Sequence, residues 1–83
     1  MCARHLKRPL LELGGQATAV VLPGADPDLA AGALALGAWT NQGQVCMSTE
    51  RVIVVGDMAE ALIPRLEAAR AALRVGDARD ETT

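Results

Sequence analysis

Two residues of this chain have the side chains needed to form a covalent thioester and then hydrolyse it. Cys46 supplies a thiol, and it follows the segment NQGQV at residues 41–45. Glu12 supplies a carboxylate within the segment LELGG at residues 11–15, 34 positions before the cysteine. A thiolate is a strong nucleophile, and a carboxylate can take a proton from an attacking water. The pair therefore predicts covalent catalysis through a thioester.

Each of these two residues also has a plain structural interpretation. Cys46 has small and polar neighbours, which suits a nucleophile that a substrate must reach, but a lone cysteine is often a buried, unreactive side chain. Glu12 lies among apolar residues, where burial would make its carboxylate a stronger base. The alternative is a glutamate at the edge of a short strand, with its carboxylate in solvent. The local sequence leaves these alternatives open.

The other candidate motifs are weak. Gly14 and Gly15 match neither the GxGxxG fingerprint nor the P-loop, and a glycine pair after an apolar segment is typically a turn. His5 has no metal-binding partner in the sequence, so no metal site is predicted. His5 and Ser48 show no spacing that is diagnostic of a Ser-His-Asp triad.

The composition is that of one small domain or of a piece of a larger one. A chain of 83 residues buries only about 60–65% of its unfolded surface. Trp39 is the one aromatic residue, and neither a disulfide framework nor a metal site is evident to stabilise so small a core. Since 51% of the residues are nevertheless hydrophobic, we expect some apolar faces to pack on partners outside the chain.

Charge and hydropathy argue against several classes of protein. A net charge of −2 argues against nucleic-acid binding, and the basic run at residues 4–8 is short enough to be a solvated surface. No apolar run approaches the ~20 residues of a membrane-spanning helix, and the N-terminus lacks the apolar core of a secretion signal. With two cysteines, Cys2 and Cys46, the expected setting is the reducing cytoplasm.

The elements that must position Cys46 and Glu12 follow an α/β pattern with the order β-β-α-β-α. Apolar and β-branched runs predict short strands at residues 10–13, 17–22 and 51–55. Apolar periodicity and capping residues predict helices at residues 26–40 and 58–73. So few strands would leave the edges of the sheet open, which again indicates an incomplete unit.

Five residues are expected to shape the two helices. Asp26 can cap the first helix, and Gly43 is suited to a left-handed conformation just after its end. Gly32 and Gly37 lie among alanines inside that helix and predict close packing against another element. Pro64 removes a backbone hydrogen bond inside the second helix, which predicts a kink or a split there.

Together these segments resemble the NAD(P)-dependent aldehyde dehydrogenase superfamily. Residues 11–15 look like the glutamate motif of that family, residues 41–46 look like its cysteine motif, and the spacing between them is the usual one. Passages after the second predicted strand and after the last predicted helix are also similar, so the resemblance covers about residues 6–80. The continuation CMSTER at residues 46–51 is most similar to members of the vanillin and salicylaldehyde type, which act on aromatic aldehydes.

The resemblance implies oxidation of an aldehyde to its carboxylic acid with NAD or NADP. Cys46 would attack the aldehyde to form a thiohemiacetal, its backbone N–H would help to hold the oxyanion, and hydride transfer to the nicotinamide would leave a thioester. Glu12 would activate the water that hydrolyses this thioester, while Leu13 and Gly14 would lie against the nicotinamide. The family also implies a homo-oligomer for the full-length protein, and the state of this chain alone is left open.

The same resemblance implies parts that these residues do not contain. They include the cofactor-binding domain, an asparagine that completes the oxyanion site and a glutamate that contacts the cofactor ribose. We expect residues 1–15 to be the end of the cofactor-binding domain and residues 16–83 to be part of the catalytic domain, in a truncated fragment that is inactive alone. The alternative is a non-catalytic α/β remnant, or a binding fragment of a broken gene, that keeps the motifs without the reaction.

Overall fold

Two strands and two helices alternate along the chain and form its packed part. The computed structural model describes residues 1–83 and places β1 at Ala17–Val21, α1 at Pro27–Trp39, β2 at Thr49–Val54 and α2 at Met58–Ala71. A short 3-10 helix at Cys2–His5 and a helix-like turn at Thr40–Gly43 complete the structure. None of the helices has the length and apolar character needed to cross a lipid bilayer. The order β-α-β-α confirms a small α/β fold.

The sheet consists of β1 and β2, which pair in parallel and are connected through α1. Val20 lies opposite Ile53 in this register, and an irregularity between Ala17 and Thr18 marks the beginning of the paired region. Both strands leave one edge unpaired, as the sequence predicted. The carboxyl end of β1 leads into α1, so the residues after α1 return to the amino end of β2.

One face of the sheet carries the core. The four buried apolar residues are Val21, Ala31, Leu34 and Leu62, and partly buried side chains such as Val54 pack against them. Because successive side chains of a strand point to opposite faces, the other face presents apolar side chains that remain exposed. They are Val20, Leu22, Ile53 and Val55. The helices therefore cover one side of the sheet and leave the other uncovered.

The packed unit does not include the whole chain. The Cα radius of gyration is 17.7 Å, whereas a compact domain of this length would have about 12 Å. The excess comes from residues 1–16 and 72–83, in which every residue is exposed. The fold is therefore a small core with two exposed ends.

The beginning of α1 forms as its sequence predicts. The Asp26 carboxylate accepts hydrogen bonds from the backbone N–H groups of Asp28, at 2.8 Å, and Leu29, at 3.2 Å. Pro27 follows as the first helical residue. Asp28 also accepts a hydrogen bond from Arg65 of α2, and this bond raises the pKa of Arg65 above its usual value. The exposed ion pair joins the two helices at their solvent side.

The prediction of a strand at residues 10–13 is wrong. Leu10, Leu11 and Leu13 are exposed, and residues 8–16 make no backbone–backbone hydrogen bond. An apolar run becomes a strand only when a neighbouring strand pairs with its N–H and C=O groups, because an isolated extended segment gains neither hydrogen bonds nor burial. Neither β1 nor β2 pairs with this segment, so the predicted β-β-α-β-α order loses its first strand.

The structure tests the predictions made for three residues inside the helices, Gly32, Gly37 and Pro64. A Cβ built on Gly37 would lie 2.9 Å from the Thr49 hydroxyl oxygen, which confirms close packing at this position. A Cβ built on Gly32 would meet no heavy atom within 4 Å, so the same prediction is wrong there. Pro64 lies on an exposed part of α2, which continues through it from Met58 to Ala71 without a split.

Candidate functional site

The cysteine segment begins with a sharp change of direction after α1. Three consecutive residues, Asn41, Gln42 and Gly43, have φ angles of 51°, 61° and 72°. Glycine adopts this left-handed conformation without cost, asparagine tolerates it, and for a residue such as glutamine it costs about 1–2 kcal/mol. A Cβ on Gly43 would also come within 3.0 Å of the Ala38 carbonyl oxygen. The predicted role of Gly43 as a left-handed residue after the helix is therefore confirmed.

Hydrogen bonds close the chain into a turn around Cys46. The backbone N–H of Gln44 donates to the Asn41 carbonyl at 3.0 Å, and that of Ser48 donates to the Val45 carbonyl at 2.9 Å. The second bond spans Cys46 and fixes the backbone on both sides of it. The Cys46 side chain is exposed. The interpretation of Cys46 as a buried cysteine is therefore wrong, while its reactivity stays a prediction.

A pocket of about 250 Å³ opens between the C-terminal part of α1 and the Cys46 turn. Its lining residues are Leu36, Gly37, Thr40, Val45, Met47 and Ser48. Val45 and Met47 are the immediate neighbours of Cys46 in the chain, whereas Cys46 itself does not line the pocket. A second pocket of about 250 Å³ lies between α1 and α2, around Trp39 and Ile63. It contains no residue of either motif, and we assign it no part in the chemistry.

Ser48 is the residue of this site that the sequence did not single out. It is 4% exposed, and its hydroxyl oxygen has no hydrogen-bond partner. The sequence contains no signal for its burial, since the polar residues Thr49, Glu50 and Arg51 follow it directly. Burial without a partner depends on the packing of α1 over the turn and is visible only in the structure.

Glu12 lies in the exposed segment before β1, and its side chain is in solvent. Of the two interpretations of Glu12, the structure agrees with solvent exposure, although no strand forms around it. The segment approaches the cysteine turn at Gly15, where a built Cβ would lie 3.4 Å from the Cys46 carbonyl oxygen. Three residues span at most about 11 Å, so the backbone of Glu12 stays within reach of the turn. No hydrogen bond orients its carboxylate.

One side-chain hydrogen bond ties the glutamate segment to the packed unit. The Arg51 guanidinium of β2 donates to the Gln16 side-chain oxygen at 2.8 Å. Gln16 directly follows Gly15, so this bond lies next to the close approach between the two motifs. Two adjacent contacts therefore bring the end of the glutamate motif to the cysteine turn, and residues 8–14 lie beyond them.

The two residues expected to contact a cofactor, Leu13 and Gly14, are exposed. Leu13 is exposed, and a Cβ built on Gly14 would have no heavy atom within 4 Å. No group of three His, Cys, Asp or Glu side chains is close enough together to hold a metal ion. The chain thus presents an exposed Cys46 and an exposed Glu12, whose segment approaches the cysteine turn at Gly15.

Comparison with known proteins identifies relatives that match all or nearly all of the chain. A model of the aldehyde dehydrogenase family matches residues 1–83. A vanillin dehydrogenase of Pseudomonas fluorescens is 52% identical over 80 residues, which is 96% of this chain and 17% of that protein. A benzaldehyde dehydrogenase of Bacillus subtilis is 39% identical over 83 residues, which is 100% of this chain and 17% of that protein.

A third relative also matches most of this chain over a small part of its own length. A salicylaldehyde dehydrogenase of Pseudomonas putida is 45% identical over 75 residues, which is 90% of this chain and 16% of that protein. The chain therefore spans about a sixth of the length of the curated relatives that it matches. No solved structure shows a significant match to the chain.

Proposed function

Because the chain belongs to the aldehyde dehydrogenase family, we propose that it is the part of an aldehyde dehydrogenase that carries the nucleophile Cys46 and the base Glu12. The reaction of the whole protein would be oxidation of an aromatic aldehyde to its carboxylic acid. The observation that carries the proposal is an exposed Cys46 on a turn that a backbone hydrogen bond closes around it. The names of the three relatives support an aromatic substrate.

In the first step, the Cys46 thiolate attacks the aldehyde carbon. The sulfur–carbon bond forms, the carbonyl π electrons move to oxygen, and the product is a thiohemiacetal. The hydrogen bond from Ser48 N–H to the Val45 carbonyl holds the turn on both sides of Cys46, which limits motion of the attacking sulfur. The pocket lined by Leu36, Val45 and Met47 offers an apolar surface against which an aromatic ring can lie.

In the last step, Glu12 takes a proton from the water that attacks the thioester carbon. The carbon–sulfur bond breaks, the thiolate of Cys46 returns, and the carboxylic acid leaves. The approach of Gly15 to the Cys46 carbonyl supports this role, since it brings the glutamate segment to the turn. The exposure of Glu12 means that its orientation must come from groups outside the 83 residues.

Members of the family use NAD or NADP, and when bound the nicotinamide accepts the two electrons and the hydrogen that the aldehyde loses. The residues assigned to it, Leu13 and Gly14, do not enclose a ligand, because no heavy atom lies within 4 Å of the position of a Gly14 Cβ. The 83 residues therefore do not form a dinucleotide site by themselves. The proposal assigns to this chain the steps of Cys46 and Glu12 alone.

The proposal includes a division of the chain between two domains. Residues 1–15 would be the end of the cofactor-binding domain, and residues 16–83 would be part of the catalytic domain. This division is supported by the packing, since the regular core begins at Ala17 and the preceding residues are exposed. A chain divided in this way is expected to have no aldehyde-oxidising activity by itself.

Reaction with an activated ester tests the Cys46 assignment without a cofactor. The thiolate displaces p-nitrophenol from p-nitrophenyl acetate, and the acetyl group remains on sulfur as a thioester. Cys2 is a matched control within the chain, because it is also exposed and lies in a short 3-10 helix. We expect the Cys2→Ser chain to release one equivalent of p-nitrophenol faster than the Cys46→Ser chain. Equal rates would contradict the assignment of Cys46 as a nucleophile distinct from Cys2.

Steady-state measurements test the expectation that the 83-residue chain is inactive by itself. After acetylation of Cys46, we expect slow hydrolysis that is the same in the Glu12→Gln chain, because nothing orients the Glu12 carboxylate. NAD(P)+-dependent oxidation of an aromatic aldehyde by the 83-residue chain, abolished by Cys46→Ala, would overturn the expectation that the chain alone is inactive.

A second candidate function is a binding fragment without catalysis. The uncovered apolar face of the sheet, formed by Val20, Leu22, Ile53 and Val55, favours it, since exposed apolar patches of this kind typically mark interaction surfaces. The ester experiment separates the two functions, because a binding fragment requires no difference in reactivity between Cys46 and Cys2.

A further inference from the structure

Residues 8–16 and the outer edge of β2 both have backbone groups without partners. Residues 8–16 make no backbone–backbone hydrogen bond, and three exposed leucines, Leu10, Leu11 and Leu13, make the segment apolar. β2 pairs with β1 along one edge, and no strand lies along the other. A free sheet edge accepts an extended segment as a further strand. Each of the two parts can therefore supply the hydrogen bonds that the other lacks.

The pairing of β2 with β1 shows which residues face the free edge. The Val55 N–H donates to the Val21 carbonyl of β1. Because alternate residues of a strand direct their N–H and C=O groups to opposite sides, the groups of Val54, Val52 and Glu50 point outward. A strand added antiparallel to this edge would form its hydrogen bonds with these three residues.

One antiparallel register matches the side chains of the two segments. It places Glu12 opposite Arg51 and Leu10 opposite Ile53, in two non-hydrogen-bonded pairs, whose side chains lie closest together. A shift by one residue in either direction would place Glu12 opposite a second glutamate, Glu50, or opposite an apolar residue. The matched register therefore joins unlike charges to each other and apolar side chains to each other.

Charge favours the edge of β2 over that of β1. Neither Glu12 nor Arg51 takes part in an ion pair within the single chain. Arg51 donates one hydrogen bond to the Gln16 side chain, and other N–H groups of its guanidinium remain free for a carboxylate. The free edge of β1 offers Glu12 no cation, since residues 17–22 are uncharged.

An open apolar pocket lies where the added strand would place Leu11. The pocket between α1 and α2 is lined by Trp39, Ile63 and one residue of the sheet, Val52 of β2, among others. In the matched register, Leu11 lies opposite Val52 on the face of the sheet that the helices cover. Its side chain would therefore cover part of this pocket.

We propose that residues 9–13 of a second copy of the chain add to the free edge of β2 as an antiparallel strand. Reciprocal exchange between two copies pairs the β2 edges of both in a closed dimer. In the single chain the segment stays unpaired, so dilution returns each copy to that structure. The inference goes beyond the proposed function, since it does not depend on the reaction at Cys46.

Disulfide crosslinking tests the register. In a chain with Cys2→Ser and Cys46→Ser, one sample carries Leu10→Cys and another carries Ile53→Cys. Residues opposite each other in a non-hydrogen-bonded pair have Cα atoms about 4.5 Å apart, which a disulfide can bridge. With oxidised glutathione as the oxidant, we expect mixed disulfide-linked dimers about tenfold faster than when Leu29→Cys replaces Ile53→Cys. Leu29 is the matched control, because it is an exposed leucine of α1. Equal rates would overturn the register.

A chain that carries Leu10→Cys and Ile53→Cys together identifies the occupant of the edge. We expect disulfide-linked dimers whose yield rises with protein concentration. A disulfide within one chain, formed at a rate that does not depend on concentration, would show that the segment folds back onto its own β2. That result would overturn the second copy as the partner.

Sedimentation equilibrium of the chain with its native cysteines measures the charge pair. Glu12→Arg and Arg51→Glu should each weaken the dimer by up to about fivefold, the range of one cross-strand pair, and the double variant should recover the affinity. A monomer at every concentration would overturn the proposal. Because Cys46 is serine in the crosslinking chains, that failure would leave the proposed function standing, and failure of the ester experiment would leave the dimer standing.

Discussion

The cysteine segment, residues 41–49, and the glutamate segment, residues 8–16, meet at Gly15 but are held in different ways. The cysteine segment is fixed by hydrogen bonds within its own turns and by the packing of α1 on Thr49. The glutamate segment makes no backbone–backbone hydrogen bond and touches the packed unit at its last residues alone. The backbone around Cys46 is therefore held by hydrogen bonds, whereas the backbone around Glu12 is not.

The difference follows from what each conformation needs. A turn is completed by residues within a few positions of one another, so the Cys46 turn carries its own hydrogen-bond partners. A strand is completed by a neighbour that is distant in the sequence, and the glutamate segment has none. Two motifs that are equally distinctive in sequence can thus differ in how much of their structure a short chain supports.

The largest expected contrast is between a core leucine and a leucine of the glutamate segment. Leu62 is 1% exposed and is the most deeply buried large side chain, so Leu62→Ala should destabilise the chain by about 2–5 kcal/mol and remove any cooperative transition in urea. Leu10 is 90% exposed, so Leu10→Ala should leave the transition unchanged. Circular dichroism against urea measures both. Equal effects would mean that residues 8–16 are part of the core.

A glycine of the cysteine segment and a glycine of the glutamate segment give a smaller contrast. Gly43 has a φ of 72°, and an added Cβ would lie 3.0 Å from the Ala38 carbonyl oxygen, so Gly43→Ala should destabilise by about 1–2 kcal/mol. Gly14→Ala places its Cβ where no heavy atom lies within 4 Å, so the urea transition should not move. A loss of stability in Gly14→Ala would show that the glutamate segment is packed after all.

Two glycines of α1 should shift the stability in opposite directions. Gly32→Ala fills open space inside a helix and should stabilise by up to about 1 kcal/mol. Gly37→Ala forces the Thr49 side chain to move, since the new Cβ would lie 2.9 Å from its hydroxyl oxygen, and should destabilise by about 1 kcal/mol. Thr49→Ala combined with Gly37→Ala should recover part of that loss. Stabilisation by both alanines would contradict the packing of α1 over the cysteine segment.

The smallest expected effect concerns the contact between Arg51 and Gln16. Both side chains are exposed, so Arg51→Ala should change the urea transition very little. It should nevertheless loosen the end of the glutamate segment, so cleavage at Leu10–Leu13 by a protease such as chymotrypsin, already fast at these exposed residues, should rise slightly. The Arg74→Ala chain, altered in the C-terminal tail, is the control. Unchanged cleavage would mean that the hydrogen bond does not restrain the segment.

The sequence predicted the elements whose causes are local. Asp26 caps α1, Gly43 adopts the left-handed conformation, and both strands around α1 form within one or two residues of their predicted bounds. The strand at residues 10–13 could not be judged from the sequence, because its formation depends on a partner and not on its own side chains. The reversal at Asn41 and Gln42 was likewise not foreseen, since glutamine has no preference for that conformation.

The candidate site likewise combines features that the sequence indicated with features that depend on tertiary packing. The sequence indicated Cys46 and Glu12 through their motifs, and their pairing in catalysis stays a prediction. It gave no indication that Ser48 would be buried without a partner, because that depends on how α1 packs over the turn. Nor did it indicate that Gln16 would accept a hydrogen bond from Arg51, 35 residues further along the chain.

Amide hydrogen exchange of the 83-residue chain tests the central claim most directly, since it reports backbone hydrogen bonding residue by residue. The structure predicts protected amides in α1, in α2 and at Val55, whose N–H donates to the Val21 carbonyl at 2.9 Å. It predicts exchange at the rates of an unstructured peptide for residues 8–16. Protection at Leu10–Leu13 equal to that at Val55 would contradict the claim that the chain folds around the cysteine segment and not around the glutamate segment.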